Sequence, residues 1–184
     1  HFGHFALTGQ LLDLIAKTPE SRVVNVSSMA HVTGKMNFEN LLFENGKEYT
    51  PMKSYGQSKL ANLLFTYELQ RYFEAKGIDS IAVAAHPGVA HTNLVQHIEN
   101  KLIFKLFSPV LKLLAQPAAR GALPQIRAAV DLSVKGAEYY GPMGFKEMGG
   151  YPGLVKSTRA SHSREDARKL WDISEQLTGT TILF

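Results

Sequence analysis

Tyr55-Gly56-Gln57-Ser58-Lys59 sets a phenol and an ammonium four positions apart. On a helix that spacing puts both on one face, about one turn from each other. A cation beside a phenol favours the phenolate and lowers a pKa that otherwise sits near about 10. A tyrosine tuned in this way can give a proton to an alkoxide or take one from an alcohol. The spacing alone recurs by chance in many helices, so its weight depends on its surroundings. Two other segments supply them. Ser27-Ser28 closes one β-branched stretch, and His86-Pro87-Gly88-Val89-Ala90-His91-Thr92 closes a second apolar stretch. Open α/β sheets gather their ligands at strand carboxyl ends, and a glycine there lets backbone approach a ligand closely.

The elements that must hold these residues are legible in the pattern. Residues 2–17 carry apolar side chains at the spacing of a largely buried helix, stopped by Thr18-Pro19. Residues 22–27 read as a buried strand, 30–52 as a long loop, and 54–76 as a strong helix with Leu60, Leu63, Leu64, Tyr67 and Arg71 along one side and Gly77 as its stop. Residues 78–86 read as the next strand. Strand, helical crossover, strand is a βαβ unit, and strands apolar on both faces belong to a parallel sheet covered by helices on both sides. Further on, the pattern predicts a helix near 121–134 with Pro124 in its first turn and a strand near 137–141. A last helix opens at Ser163-Arg164-Glu165-Asp166 and buries Ala167, Leu170, Trp171, Ser174 and Leu177. The fold class is α/β, a Rossmann-type doubly wound parallel sheet with helices on both faces.

Composition removes several function classes. With 45% apolar and 20% charged residues the 184-residue chain suits one folded domain, not a disordered one. It has no cysteine, which excludes disulfide scaffolds, thiolate metal sites and thiol nucleophiles. Its seven histidines form no tight metal-ligand spacing. The net charge of +4, all of it arising in the second half, is too mild for a dedicated nucleic-acid binder. No apolar run approaches the roughly 18 residues of a membrane span and no signal peptide is visible, so the expected compartment is cytoplasmic. His4 and His86 read as hydrogen-bonded packing residues, His91 as a solvated loop residue and Trp171 as core.

Taken in order, Asn25-Val26-Ser27-Ser28, Tyr55-x-x-x-Lys59 and Pro87-Gly88-x-x-x-Thr92 resemble the short-chain dehydrogenase/reductase family. His1-Phe2-Gly3-His4-Phe5-Ala6-Leu7-Thr8, the run Tyr55–Asn62 and His86-Pro87-Gly88 are similar to its retinol-dehydrogenase-like and WW-domain-oxidoreductase-like branch. So is the gap of 27 positions between Ser28 and Tyr55, about twice the usual one for the family. The extra residues, near 37–52, are expected to form a surface excursion that leaves serine and tyrosine adjacent. The resemblance implies that Tyr55 is the general acid/base and that Lys59 binds the nicotinamide ribose and holds the tyrosine's pKa down. It implies that Ser28, not Ser27, polarises the substrate carbonyl. Pro87, Gly88 and Val89 would line the nicotinamide, and Thr92 would reach its carboxamide or the phosphates. The implied cofactor is NAD(P)(H), and the substrate a small apolar alcohol or carbonyl compound.

The family's TGxxxGxG turn and Asn-Ala-Gly segment have no counterpart here, so residues 1–184 correspond to the carboxyl-terminal three-fifths of a single such domain. The choice between NAD and NADP belongs to side chains after the first two family strands and stays open. A substrate flap is expected near 93–116, with membrane or partner contact by Lys101–Gln116 as the lesser reading. Homo-oligomerisation stays open. Rival readings are a non-catalytic nucleotide-binding or scaffold protein that keeps the fold, and a fragment serving only in assembly.

Overall fold

A computed structural model describes residues 1–89 and 116–182. Four strands form one sheet in the order β1 (Ser21–Val26), β2 (Ser80–Ala85), β3 (Tyr139–Pro142), β4 (Pro152–Leu154). The first three run parallel, with Ser21 opposite Ser80 and Ala84 opposite Tyr139. The fourth, not expected from the sequence, is antiparallel to β3. Among the described residues five α-helices accompany them, α1 (Phe2–Lys17), α2 (Pro51–Lys76), α3 (Ala118–Gly121), α4 (Leu123–Val130) and α5 (Arg164–Thr178), together with short 3-10 helices, of which the one over Met29–Thr33 bears on the site.

Alternation along the strands sorts side chains to two helix layers. Val23 and Ala82 point into a core with Phe5 of α1, Phe65, Leu69 and Phe73 of α2 and Trp171 of α5. Ala84 and Tyr139 meet Leu63 and Tyr67 of α2. Val24, Ile81, Val83, Ala85 and Tyr140 point the other way, against Ala128 of α4 and Val134. Alanines at 82 and 84 let α2 lie close to the sheet. With β strands on one side and α5 and the 3-10 helix on others, α2 is buried almost all round from Gly56 to Gln70.

Several boundaries differ from the sequence reading. α2 begins at Pro51, three residues early, because the Thr50 side chain accepts from Lys53 N (3.1 Å) and Pro51 suits the first turn. The helix expected over 121–134 is two pieces and ends at Val130, where Asp131 turns its carboxylate onto Ser133 N (2.9 Å) and Ser133 Oγ (2.7 Å). α1 is not largely buried: only Phe5 and Thr8 are, and Leu7, Leu11 and Leu14 are exposed, since the described elements cover one face of it alone. Leu177, expected in the core, is half exposed at the last turn of α5. His4 is exposed and not packed. No helix among the described residues is long and apolar enough to cross a membrane.

Candidate active site

One turn of α2 is fastened to the carboxyl end of β1. Lys59 Nζ donates to Val26 O at 3.2 Å, and Asn62 Nδ2, one turn on, donates to the same oxygen at 3.0 Å. In return Ser27 Oγ donates to the Lys59 carbonyl at 2.9 Å. Asn25 Nδ2 donates to Thr66 Oγ1 (3.1 Å), whose hydroxyl bonds to Asn62 O (2.7 Å). The Lys59 ammonium lies 5.6 Å from the centroid of the Tyr55 ring. Burial pushes its pKa below the usual lysine value.

The two serines are thereby separated in role. Ser27 is buried and tied to α2. Ser28 is half-buried and caps the 3-10 helix, its Oγ accepting from Ala30 N at 3.2 Å. That 3-10 helix is pressed onto α2 through two glycines. A Cβ at Gly34 would stand 2.4 Å from Gly56 O, and one at Gly56 would stand 3.0 Å from Ala30 O. Neither position has room for a larger residue, so the segment leaving Ser28 lies directly on the turn that follows Tyr55. The residues between them leave and return as an excursion pinned by Gln57. Its Oε1 accepts from Asn37 N (3.1 Å) and its Nε2 donates to Leu41 O (2.9 Å).

The carboxyl end of β2 lies beside that of β1, and the described residues that follow it, 86–89, are held by hydrogen bonds. Gly88 has φ +66°, and a Cβ there would stand 2.6 Å from Met148 O. Val89 N donates to Met148 O (2.8 Å), and Gln116 Nε2 donates to Pro87 O (2.8 Å). His86 is fully buried; its Nδ1 accepts from Gly88 N (3.2 Å), and its Nε2 faces Glu147 Oε2 at 3.1 Å. Burial takes the His86 pKa down to about 4. The contact with Glu147 is therefore a hydrogen bond from a neutral ring, not an ion pair. Gly141 makes room for that ring, since a Cβ there would fall 2.0 Å from His86 Nε2.

The chain is 36% identical over 180 residues to "Retinol dehydrogenase 12" of Mus musculus, a match covering 97% of this chain and 52% of that protein. It is 38% identical over 182 residues to "Retinol dehydrogenase 14" of Homo sapiens, covering 97% and 50%. A crystal structure of an uncharacterised protein from Mycobacterium paratuberculosis superposes with a TM-score of 0.76 at 38% identity, covering 100% of this chain and 58% of that one. The chain belongs to the short-chain dehydrogenase/reductase family. It spans about half the length of the curated relatives it matches. No protein-family model matches it.

For a short-chain dehydrogenase/reductase, the residues singled out in the sequence fall as follows. Tyr55 and Lys59 share one face of α2, Ser28 starts the segment packed on their helix turn, and Pro87, Gly88 and Val89 follow the neighbouring strand. Thr92 and all but the last residue of the expected flap, 93–116, lie outside the described residues. Sequence reading passed over His31, Gln116, Tyr139 and Glu147 as parts of the site; they contact Ser28, Pro87 and His86 or one another. Apart from the local contact of His31 with Ser28 O, these residues meet their partners across long stretches of chain, which no spacing rule reads.

Proposed function

We propose that this protein is an oxidoreductase acting on an apolar alcohol or carbonyl compound, with Tyr55 as general acid/base, Lys59 as its cationic partner and Ser28 as the hydroxyl that polarises the substrate oxygen. The observation that carries the reading is the Lys59 side chain, held to Val26 O at the end of β1 while its ammonium lies 5.6 Å from the Tyr55 ring. Tyrosine can move a proton to or from the substrate oxygen, and a cation alongside stabilises the phenolate this leaves. Ser28 Oγ, half-buried at the strand end, can donate to the same oxygen, whereas Ser27 is occupied by α2.

The residues present fit the nicotinamide and ribose end of a nicotinamide dinucleotide. The Pro87-Gly88-Val89 backbone presents a glycine in a left-handed conformation, and the loop is braced from behind by Met148 O and Gln116. Lys59 uses one N–H on Val26 O and so keeps donors for a ribose diol. When bound, the cofactor supplies or accepts the hydride. The names of the relatives, retinol dehydrogenases, favour a long apolar alcohol as the substrate class.

The test uses the full-length protein, NADH and NADPH, and a panel of aldehydes. Tyr55→Phe is expected to lose about 100-fold or more of kcat, within the range for general acid/base groups, with cofactor Kd unchanged. Lys59→Ala is expected to lower kcat and weaken cofactor binding together. Undiminished turnover by Tyr55→Phe, or equal cofactor Kd for wild type and Lys59→Ala, would refute these assignments.

A further inference from the structure

We propose that His31 is the positioning residue for Ser28, fixing the serine's main chain against the connection between β4 and α5. The inference rests on the reading of Ser28 given above. His31 lies within the 3-10 helix that Ser28 caps and is 3% exposed, an unusual burial for a polar side chain in a loop. Its Nδ1 is 2.7 Å from Ser28 O, and its Nε2 is 3.3 Å from Thr158 N. A carbonyl can only accept and a backbone N–H can only donate. The ring must therefore carry its proton on Nδ1 and none on Nε2. One tautomer satisfies both ends of the strut; the other tautomer and the imidazolium each put a ring N–H against a backbone N–H.

The surroundings favour that single state. Tyr139 of β3 stands edge-on to the ring with centroids 5.6 Å apart, and His86 after β2 also packs against Tyr139, with centroids 5.2 Å apart. Burial lowers the His31 pKa against the hydrogen bond to Ser28 that raises it, and His86 is itself neutral. Glu147, the carboxylate of this region, is engaged with His86 Nε2. His31 reaches no substrate; it acts through Ser28. Ser28 Oγ accepts from Ala30 N, and its carbonyl accepts from the His31 backbone N–H (3.0 Å) as well as from the ring; among the described residues the ring, through Thr158 N, is what ties these local bonds to a distant part of the fold.

The experiment is a cycle in the full-length enzyme with Ser28→Ala, His31→Phe, the double variant and His31→Asn. His31→Phe keeps an aromatic ring and removes both bonds, and is expected to lower kcat about tenfold with cofactor Kd within about twofold of wild type. His31→Asn retains a donor near the Nδ1 position and is expected to return kcat to within about threefold of wild type. In the Ser28→Ala background His31→Phe is expected to change kcat by less than about twofold, because its effect passes through the lost hydroxyl. Nitrogen-15 NMR of the wild-type imidazole at neutral pH gives a readout apart from activity and independent of any variant's folding: a neutral ring protonated at Nδ1. Full additivity of His31→Phe with Ser28→Ala, no rescue by His31→Asn, or a ring protonated at Nε2 overturns the role of His31 while leaving Ser28 in place. Undiminished kcat in Ser28→Ala overturns the reading of the site, and this inference with it.

Discussion

Acidification is expected to strike this fold through the buried ring of His86. The ring is buried and accepts from Gly88 N through Nδ1, so a proton arriving there sets two donors face to face. Its pKa falls from 6.5 to about 4 in the folded chain. Between those values the unfolded chain binds a proton that the folded chain refuses, so stability falls as pH falls through that window and levels off below it. A shift of that size corresponds to about 3 kcal/mol, a large part of the total stability of an ordinary domain. Urea unfolding of the full-length protein, wild type and His86→Gln, at intervals from pH 7.5 to 3.5 measures it. The variant has no imidazole to titrate, so its deficit relative to wild type is expected to shrink by about 3 kcal/mol as pH drops through the window. Burial lowers the His31 pKa too, so a residual slope of the same sign is expected in both proteins. A constant difference across the window, or an NMR titration of His86 centred at 6.5 or above, would refute the reasoning.

Two further outcomes follow from the packing. Gly34→Ala forces a methyl to 2.4 Å from Gly56 O, and backbone cannot swing aside as a flexible side chain would. It is expected to lose about 1–3 kcal/mol and to lower kcat with it by lifting the Ser28 segment from the Tyr55 turn; an unchanged Tm and kcat would show that the two glycines do not set that spacing. Ser163→Ala removes the acceptor for Asp166 N (3.2 Å) at the start of α5. A loss of about 1 kcal/mol in urea unfolding is expected, with kcat unaffected because α5 opens far along the chain from the proposed proton path.

Local pattern was enough for the elements whose signals are local. The Tyr55–Lys59 spacing, Gly77 in its left-handed cap (φ +64°), the Ser163 cap and the two apolar strands each depend on residues within a few positions of one another. The choice of Ser28 over Ser27 came from the family resemblance instead, and the bond from Ser27 Oγ to Lys59 O, across 32 positions, is a feature of the fold. What sequence periodicity could not decide was which apolar faces find partners. α1 reads as apolar nearly all round, yet only the Phe5 side meets α2 and α5, and Leu7, Leu11 and Leu14 face outward. Likewise β4 pairs with β3 through three residues, too few to stand out from a loop in the sequence. The bracing of the site belongs wholly to tertiary structure. His31 meets Thr158 across 127 positions and His86 meets Glu147 across 61. A buried imidazole needs a partner at each nitrogen, and only the folded chain decides which backbone or carboxylate groups stand within hydrogen-bond reach.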